Sequence, residues 1–527
     1  MLDNNENTPL PNDSLTESEH TAANSENSAQ AKENSRAESI RKRKEKIQHA
    51  KQNRKLRKEQ IALRKKERRE LRQKQKEERA QKAELALSDE VKLERKLLQL
   101  ANTQRDNRKW YKLDNAALVY PLTARKESIS VFRLSVLMKE EVDPITLQLA
   151  VNDVVARFPT ICGCVKSGWF WPFIDKPSTP ILVKKQTKVP GRPMKLDSRR
   201  SQIRVNYFGK QIAVEFFHSA TDGNGGIVFL NSLVRRYLQL KGYNTDTINC
   251  FDYRDLPTLD EIRDNFSRIA VKKNPPSCPK NVKSTQINGT LLPNKRYMTM
   301  RAVCSAEQLH NVAKRYNATV TEFIGALQLM SLAKLIEMTG SKNDNPIRIL
   351  VPVNLRKRYG VETVRNFSNY IFYQYNGQDN LTDVILDVQQ QAKEQLTDEY
   401  FAGMVSFNYN SGQHPLLKIV PYGLKSLILK SVVKNVGDGV LNCSTLSNLG
   451  VIVAPTEFKD HVLRYDFMLG KPAKNTVNFT IATYNNVCVI TQTNPFAEKD
   501  CERHFFRTLS NLGVDLAMES DIWEETR

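Results

Sequence analysis

From Trp110 onward the apolar residues follow two rhythms. Ile129–Leu137 gathers β-branched and aromatic residues into a run that predicts a strand. Asp143-Pro144 comes next, a helix cap followed by a proline suited to the first helical position. Leu147, Ala150, Val151, Val154, Val155 and Phe158 recur at three- and four-residue spacing, which predicts an amphipathic helix ended by Pro159. Cys162–Ile174 and Ile181–Lys184 read as extended. Ile203–Tyr207 and Gln211–Phe217, separated by Phe208-Gly209-Lys210, predict a hairpin, and Gly225–Leu240 predicts a helix stopped before Gly242.

Pro257, Pro275, Pro276, Pro279 and Pro293 then interrupt the pattern, as a crossover between two lobes would. Beyond them the spacing predicts strands at Tyr297–Val303, Ile347–Val353, Tyr370–Tyr375, Leu441–Ser447, Arg464–Leu469, Val477–Thr483 and Val487–Thr493. Helices are predicted at Ala306–Tyr316, Val320–Met338, from Asp383, around Gly423–Val436 and over Glu498–Leu512. Strands and helices alternate in both halves without a short repeat, so the fold class is α/β (α+β) with two lobes. The expected organisation is a first lobe over 110–250, a crossover over 251–296 and a second lobe over 297–527.

Before Trp110 neither rhythm is present. Residues 1–38 hold eight acids, two bases and few large apolar side chains, and are expected to be disordered. Residues 39–109 contain no Gly or Pro and are dominated by good helix formers, with supporting pairs such as Glu78 and Lys82. A long charged helix is expected there, with too few apolar residues for a coiled-coil seam.

Residues 41–82 carry twenty Lys or Arg against six Glu, so the net charge of +22 describes this arm more than the body. The arm lacks the aromatics that stack on bases and the apolar stripe of an inserting helix. It is either a solvated charged helix or a contact for a polyanion such as RNA, a ribosome or an anionic membrane surface.

The eight cysteines form no C-x-x-C pair and have no histidine at zinc spacing, so they are expected to be reduced and no metal is expected. The first thirty residues lack an apolar core for a signal peptide, and no run approaches the length that spans a bilayer. A soluble cytoplasmic monomer, peripheral to the membrane at most, is the expectation. No P-loop, dinucleotide-binding glycine fingerprint or G-x-S-x-G elbow is present.

The chemistry concentrates at Phe216-Phe217-His218-Ser219-Ala220-Thr221-Asp222-Gly223. Ile212, Val214 and Phe216 share one strand face, and His218 continues it where the chain turns. Burial there keeps an imidazole neutral and suited to act as a general base. A structural histidine followed by an ordinary Asp-Gly turn is the alternative.

The order His-x-x-x-Asp-Gly resembles the signature of the chloramphenicol-acetyltransferase-like superfamily of CoA-dependent acyltransferases, which includes the plant BAHD enzymes and peptide-synthetase condensation domains. The resemblance extends over roughly residues 110–520. Trp110-Tyr111-Lys112-Leu113-Asp114, Arg157-Phe158-Pro159 and Trp169-Phe170-Trp171 look like bacterial alcohol acetyltransferase-like proteins. Val351-Pro352-Val353-Asn354-Leu355-Arg356 resembles the strand before the second-lobe loop. Asn366-Phe367-Ser368-Asn369 is similar to the Phe-Gly-Asn element of BAHD enzymes, and Ser447-Asn448-Leu449-Gly450 to the Ser-Asn motif of wax-ester-forming acyltransferases. Asp466-Phe467-Met468-Leu469-Gly470-Lys471-Pro472 resembles a structural BAHD element, with Met468 and Leu469 departing from its Gly-Trp. Phe217 stands where condensation domains carry the first of two histidines.

The resemblance implies a two-lobed fold and an acyl-CoA-dependent O-acyltransferase in which His218 deprotonates an alcohol or amine acceptor. Acyl-CoA would be a cosubstrate, with no permanently bound cofactor; a carrier-protein thioester is the other possible donor. Asp222 is implied to be structural, with Gly223 in the loop and Arg356 as the candidate partner of Asp222, an exposed strand-end arginine being the alternative. Ser447, Asn448 and Asn369 are oxyanion or substrate candidates, the first two read equally well as a strand cap. Asp466 and Gly470 are structural candidates. The alternatives in function are a non-catalytic acyltransferase-like scaffold and a condensation-type N-acyltransferase.

Overall fold

The computed structural model describes residues 66, 70, 73, 74, 89–104, 110–118, 120–121, 131–194, 198–280, 282–293, 297–341, 345–413, 419–427, 441–470 and 476–521. The chain divides into a unit at 1–93 and a unit at 94–527. In the first, the described residues are helical. The acidic segment at 1–38 and most of the charged helix expected over 39–109 lie outside the described residues.

The second unit carries fifteen described strands. Its first half supplies β1 (Tyr111–Lys112), β2 (Val131–Met138), β3 (Cys164–Ser167), β4 (Pro172–Asp175), β5 (Lys184–Lys185), β6 (Ile203–Phe208) and β7 (Gln211–Phe217). Its second half supplies β8 (Met298–Ser305), β9 (Ile347–Asn354), β10 (Ser368–Tyr375), β11 (Ser444–Val451), β12 (Val462–Leu469), β13 (Val477–Tyr484), β14 (Val487–Asn494) and β15 (Ala517–Asp521). They form sheets ordered β1-β4-β3, β12-β2-β7-β6-β5 and β10-β9-β11-β13-β14-β8-β15.

The five-stranded sheet buries Phe132, Leu134, Val136, Ile212, Val214 and Phe216 on one face. Helices α1 (Pro144–Val155) and α2 (Gly223–Leu240) cover that face and share its core. Asp143 caps α1 by accepting from the amides of Ile145 and Thr146, at 3.3 and 2.9 Å, which satisfies donors that the first turn leaves free. The seven-stranded sheet packs on α3 (Ala306–Arg315), α4 (Val320–Met338), α5 (Leu381–Gln395), α6 (Asp398–Gly412) and α7 (Asp500–Asn511). α4 is apolar nearly all round because it is the central helix of that core.

Two boundaries differ from the sequence expectation. The region 297–527 is not one lobe: β12 leaves it and pairs antiparallel with β2, Asp466 opposite Ser135 and Phe467 opposite Leu134. Tyr465–Met468 are buried on both faces of the strand, so its pattern does not reveal which sheet it joins. Thr480 Oγ1 on β13 donates to Phe467 O at 2.5 Å, tying the two sheets together there.

The body also begins before Trp110. Asn152 Nδ2 on α1 donates to Leu100 O at 2.6 Å, and Gln104 Nε2 donates to Ile181 O at 2.8 Å while its Oε1 accepts from Ile181 N at 3.2 Å. Leu97 and Ala101 are buried. A deletion of residues 1–88 should therefore leave the thermal unfolding of the body unchanged. Deleting 1–105 should lower it, because Asn152 and Ile181 lose partners at a cost of about 1–3 kcal/mol each; differential scanning fluorimetry of the two truncations separates them.

Candidate active site

Strand β7 ends at Phe217, and Ala220 N donates back to Phe217 O at 2.8 Å, closing a turn that presents His218. The imidazole stacks on Tyr120, centroids 4.6 Å apart, and meets the Phe132 ring edge-on at 5.2 Å. Its Nδ1 lies 3.3 Å from Asn366 Oδ1. An amide oxygen only accepts, so this contact assigns the proton to Nδ1 and leaves Nε2 with its lone pair. Burial among the aromatic rings lowers the histidine pKa below its ordinary value, against the opposing pull of its hydrogen bonds and the Asp222 carboxylate.

Asp222 points away from the imidazole. It caps α2 by accepting from Gly225 N at 3.1 Å, and accepts from Phe367 N at 2.9 Å. Arg356 grips it with both terminal nitrogens, Nη1 to Oδ2 at 2.9 Å and Nη2 to Oδ1 at 2.8 Å. Burial alone would raise the carboxyl pKa; the guanidinium charge and these four hydrogen bonds outweigh it and hold the pKa below the usual range. Arg356 is mostly buried and also donates to the carbonyls of Thr363 and Arg365.

The histidine turn is thus bonded to a segment more than a hundred residues later in the chain. Thr221 Oγ1 donates to Val364 O at 2.6 Å, and a Cβ on Gly225 would come within 2.2 Å of that same oxygen. Only glycine permits this approach. Arg365 extends the clamp: its Nε donates to Asp114 Oδ2 at 3.1 Å and its Nη2 to Lys112 O at 2.7 Å. Burial pushes the Asp114 carboxyl up to about 6 despite Arg365.

Gly223 faces β11, where a Cβ would meet Leu449 Cδ2 at 2.6 Å. Strand β11 bulges between Asn448 and Val451, and Gly450 there has a φ of 68°. Asn448 holds the bulge: Oδ1 accepts from Gly450 N at 2.8 Å, and Nδ2 donates to Thr321 Oγ1 on α4 at 3.0 Å. Of the two oxyanion candidates on this strand, Asn448 therefore faces α4. Ser447 shares its face with Leu449 by the two-residue period, on the side of Gly223, and its hydroxyl has no hydrogen-bond partner among the described residues.

Asn369 is the second residue of β10, opposite Val353, and its Oδ1 accepts from Tyr370 N at 3.0 Å. Asp466 sits on the opposite face of β12 from the core, 3.0 Å from Arg464 Nε, and accepts from Gln211 Nε2 at 3.1 Å. Gly470 N donates to Val131 O at 2.8 Å, closing the end of the β12–β2 pair. Neither Asp466 nor Gly470 touches the histidine turn in these contacts.

Asn366 is the residue that the sequence did not single out for a role. Its Oδ1 meets His218, while its Nδ2 is buried without a partner among the described residues. An idle buried donor beside a candidate base is one of the few polar groups here that calls for a partner. The only sequence signal was its position ahead of Phe367-Ser368-Asn369. Among the described residues no group of three His, Cys, Asp or Glu is placed to hold a metal.

No family model and no curated protein matches the chain. Solved structures do match. The first condensation domain of the CDA synthetase superposes on 78% of this chain and 100% of its own, with a TM-score of 0.51 and 14% identity. The first condensation domain of the calcium-dependent antibiotic synthetase, in complex with substrate analogue 2a, covers 77% of this chain and 96% of its own, with a TM-score of 0.51 and 14% identity. The class this defines is one of architecture: a two-lobed mixed α/β fold. In particular, the chain shares the fold of these condensation domains, which is the fold that the sequence pattern implies.

Proposed function

We propose that the protein is an acyl-CoA-dependent acyltransferase acting on an alcohol or amine acceptor, with His218 as its general base. The observation that carries this reading is the imidazole packed between Tyr120 and Phe132 whose Nδ1 lies 3.3 Å from Asn366 Oδ1, on a turn anchored by the Asp222–Arg356 pair. A merely structural histidine needs no such support.

In the proposed reaction Nε2 of His218 takes the acceptor's proton as the oxygen or nitrogen attacks the thioester carbonyl. The tetrahedral oxyanion then collapses, the C–S bond breaks, and the imidazolium returns the proton to the departing thiolate. No covalent enzyme intermediate forms. The Asn366 amide and the Ser447 hydroxyl are the donors available to the oxyanion; one such donor is typically worth about 2.7–4 kcal/mol. Asp222 and Arg356 position the turn and do not touch the reacting atoms.

The test is acceptor-dependent release of free thiol by the full chain, with acyl-CoAs of several lengths, a panel of alcohols and amines, and a carrier-protein thioester as a separate donor arm. Turnover with the carrier thioester alone would move the assignment to condensation-type transfer, and none with any donor to a non-catalytic scaffold. The base must be neutral, and burial depresses its pKa. The acidic limb of kcat/KM should therefore fall below the ordinary histidine value; a limb above it would assign the titration to another group. The arm at 41–82 is the proposed polyanion contact, and the 1–88 deletion should remove salt-sensitive RNA binding while sparing turnover.

A further inference from the structure

Asp114 follows β1, and the proposed reaction gives it no part. Its carboxyl is 1% exposed, and a charge so far from solvent calls for strong partners. Two are present: Oδ2 accepts from Arg365 Nε at 3.1 Å, and Oδ1 accepts from Ala117 N at 2.6 Å. The two bonds lead by different routes to the same imidazole.

The first route runs along the chain. The bond to Ala117 N, with Asp114 O accepting from Leu118 N at 3.2 Å, closes a turn over 114–118. Ala117 O accepts in turn from Tyr120 N at 3.3 Å, so this turn sets where Tyr120 stands. The Tyr120 ring stacks on His218, the two planes 13° apart.

The second route runs through Arg365, which is itself buried. Its guanidinium directs all three nitrogens at fixed acceptors: Asp114 Oδ2, Ile262 O at 2.9 Å and Lys112 O at 2.7 Å. Its main chain is held as well, N donating to Thr363 Oγ1 at 3.2 Å and O accepting from Arg356 Nη2 at 2.7 Å. The next residue is Asn366, whose Oδ1 meets His218 Nδ1, and Phe367 after it donates its amide to Asp222. Asn366 is therefore pinned from both sides.

Net stability is a poor account of the Asp114–Arg365 pair. Desolvation offsets much of the attraction between charges buried this deeply. Asp264 and Asp222 stand near enough to repel the Asp114 carboxylate, and burial works against it too. What a fully bonded guanidinium supplies is direction, with several acceptors fixed around one plane.

We propose that Asp114 is a positioning residue for His218. Through Arg365 it fixes the Asn366 oxygen against Nδ1, and with it the tautomer; through the 114–118 turn it fixes the Tyr120 ring against the imidazole face. The inference rests on the reading of His218 as the general base and deepens it.

The test uses the full chain. Arg365→Met cuts the second route. Asp114→Asn removes the charge, and its single oxygen replaces two that faced separate donors. The readout that needs no turnover is a long-range proton–nitrogen correlation spectrum of the protein carrying nitrogen-labelled histidine, with His218→Ala assigning the signals. The Nδ1–H tautomer should dominate in the wild type. The Nε2–H tautomer should appear beside it in Arg365→Met and Asp114→Asn, as in Asn366→Ala. Acceptor-dependent kcat should fall by about tenfold to a hundredfold in the same variants, the order of cost of a small misplacement, with KM nearly unchanged. Arg365→Met combined with Asn366→Ala should be little worse than Asn366→Ala alone, because both act through one oxygen.

Arg235→Met is the control. It breaks another buried ion pair, with Asp252 toward the far end of α2, and should lower the unfolding temperature without moving the tautomer or kcat. Should Arg365→Met fail to fold, Asp114→Asn, which keeps the side chain's shape, decides alone. A wild-type tautomer in both variants overturns the proposal, as does an equal shift in Arg235→Met or a wild type without the Nδ1–H form. A wild type that turns over no acceptor while the variants still shift the tautomer would remove the acyltransferase reading and keep the placement of the imidazole by Asp114.

Discussion

Replacing His218 with Ala should lower acceptor-dependent thiol release by about 10²–10⁴, the usual worth of a positioned general base. The fold should survive. The imidazole has one side-chain hydrogen bond, to Asn366, so its removal costs that bond and the ring contacts with Tyr120 and Phe132. The comparison with Asn366→Ala sharpens the test. Losing Asn366 frees the imidazole to rotate or change tautomer without removing the base, so its effect should be smaller and should fall on kcat more than on KM. If His218→Ala kept more than about a tenth of wild-type turnover, a base of ordinary strength could not be His218. Equal losses in both variants at unchanged unfolding temperature would instead assign the main role to the Asn366 amide.

The fold class could be read from the sequence because its strands and helices announce themselves locally. The 3.6-residue spacing from Leu147 to Phe158 and the hairpin at Ile203–Phe217 are one-dimensional signals, and the structure has α1, β6 and β7 there. What the sequence withheld is long-range. Nothing in Val462–Leu469 tells that the strand pairs with β2, over three hundred residues earlier, because the pairing depends on a complementary edge elsewhere. The helix at Asp398–Gly412 and the strand at Ala517–Asp521 were missed for a related reason: both are docked by tertiary contacts that their own spacing understates. The limit of the body at Trp110 failed because Leu97, Ala101 and Gln104 look like the end of a charged helix and gain their partners only from α1 and Ile181.

The same distinction runs through the site. His218, Asp222 and Gly223 are close in sequence and legible as one pattern. Ser447 and Asn448 looked equivalent as candidates; strand alternation puts them on opposite faces, and only the contact with Thr321 shows that Asn448 has the face toward α4. Asn366 had no local signal of its chemistry, since an asparagine acquires a role from what it is placed against.

Asp222→Ala should destabilise the folded body by about 3–5 kcal/mol, the cost of stranding a buried charge. The carboxylate has four hydrogen bonds to lose, and the guanidinium of Arg356 would keep only carbonyls and Asn354 around it. Arg356→Met should cost a similar amount, because it leaves Asp222 with backbone amides alone. The double variant should cost less than the sum of the two, which a double-mutant cycle on denaturant midpoints measures directly. Asp222→Asn retains the shape and the Gly225 cap, so it should be milder than Asp222→Ala in stability and still lower turnover by misplacing His218. The pH dependence has a definite sign. The folded-state pKa of Asp222 is depressed, so its contribution is fully present above the ordinary carboxylate value and is lost as pH falls through the folded one. Wild type and Asp222→Ala should therefore differ in stability at neutral pH and converge in strong acid. Unchanged unfolding of Asp222→Ala with collapsed turnover would give the carboxylate a direct part in the chemistry and remove it from the frame that holds the turn.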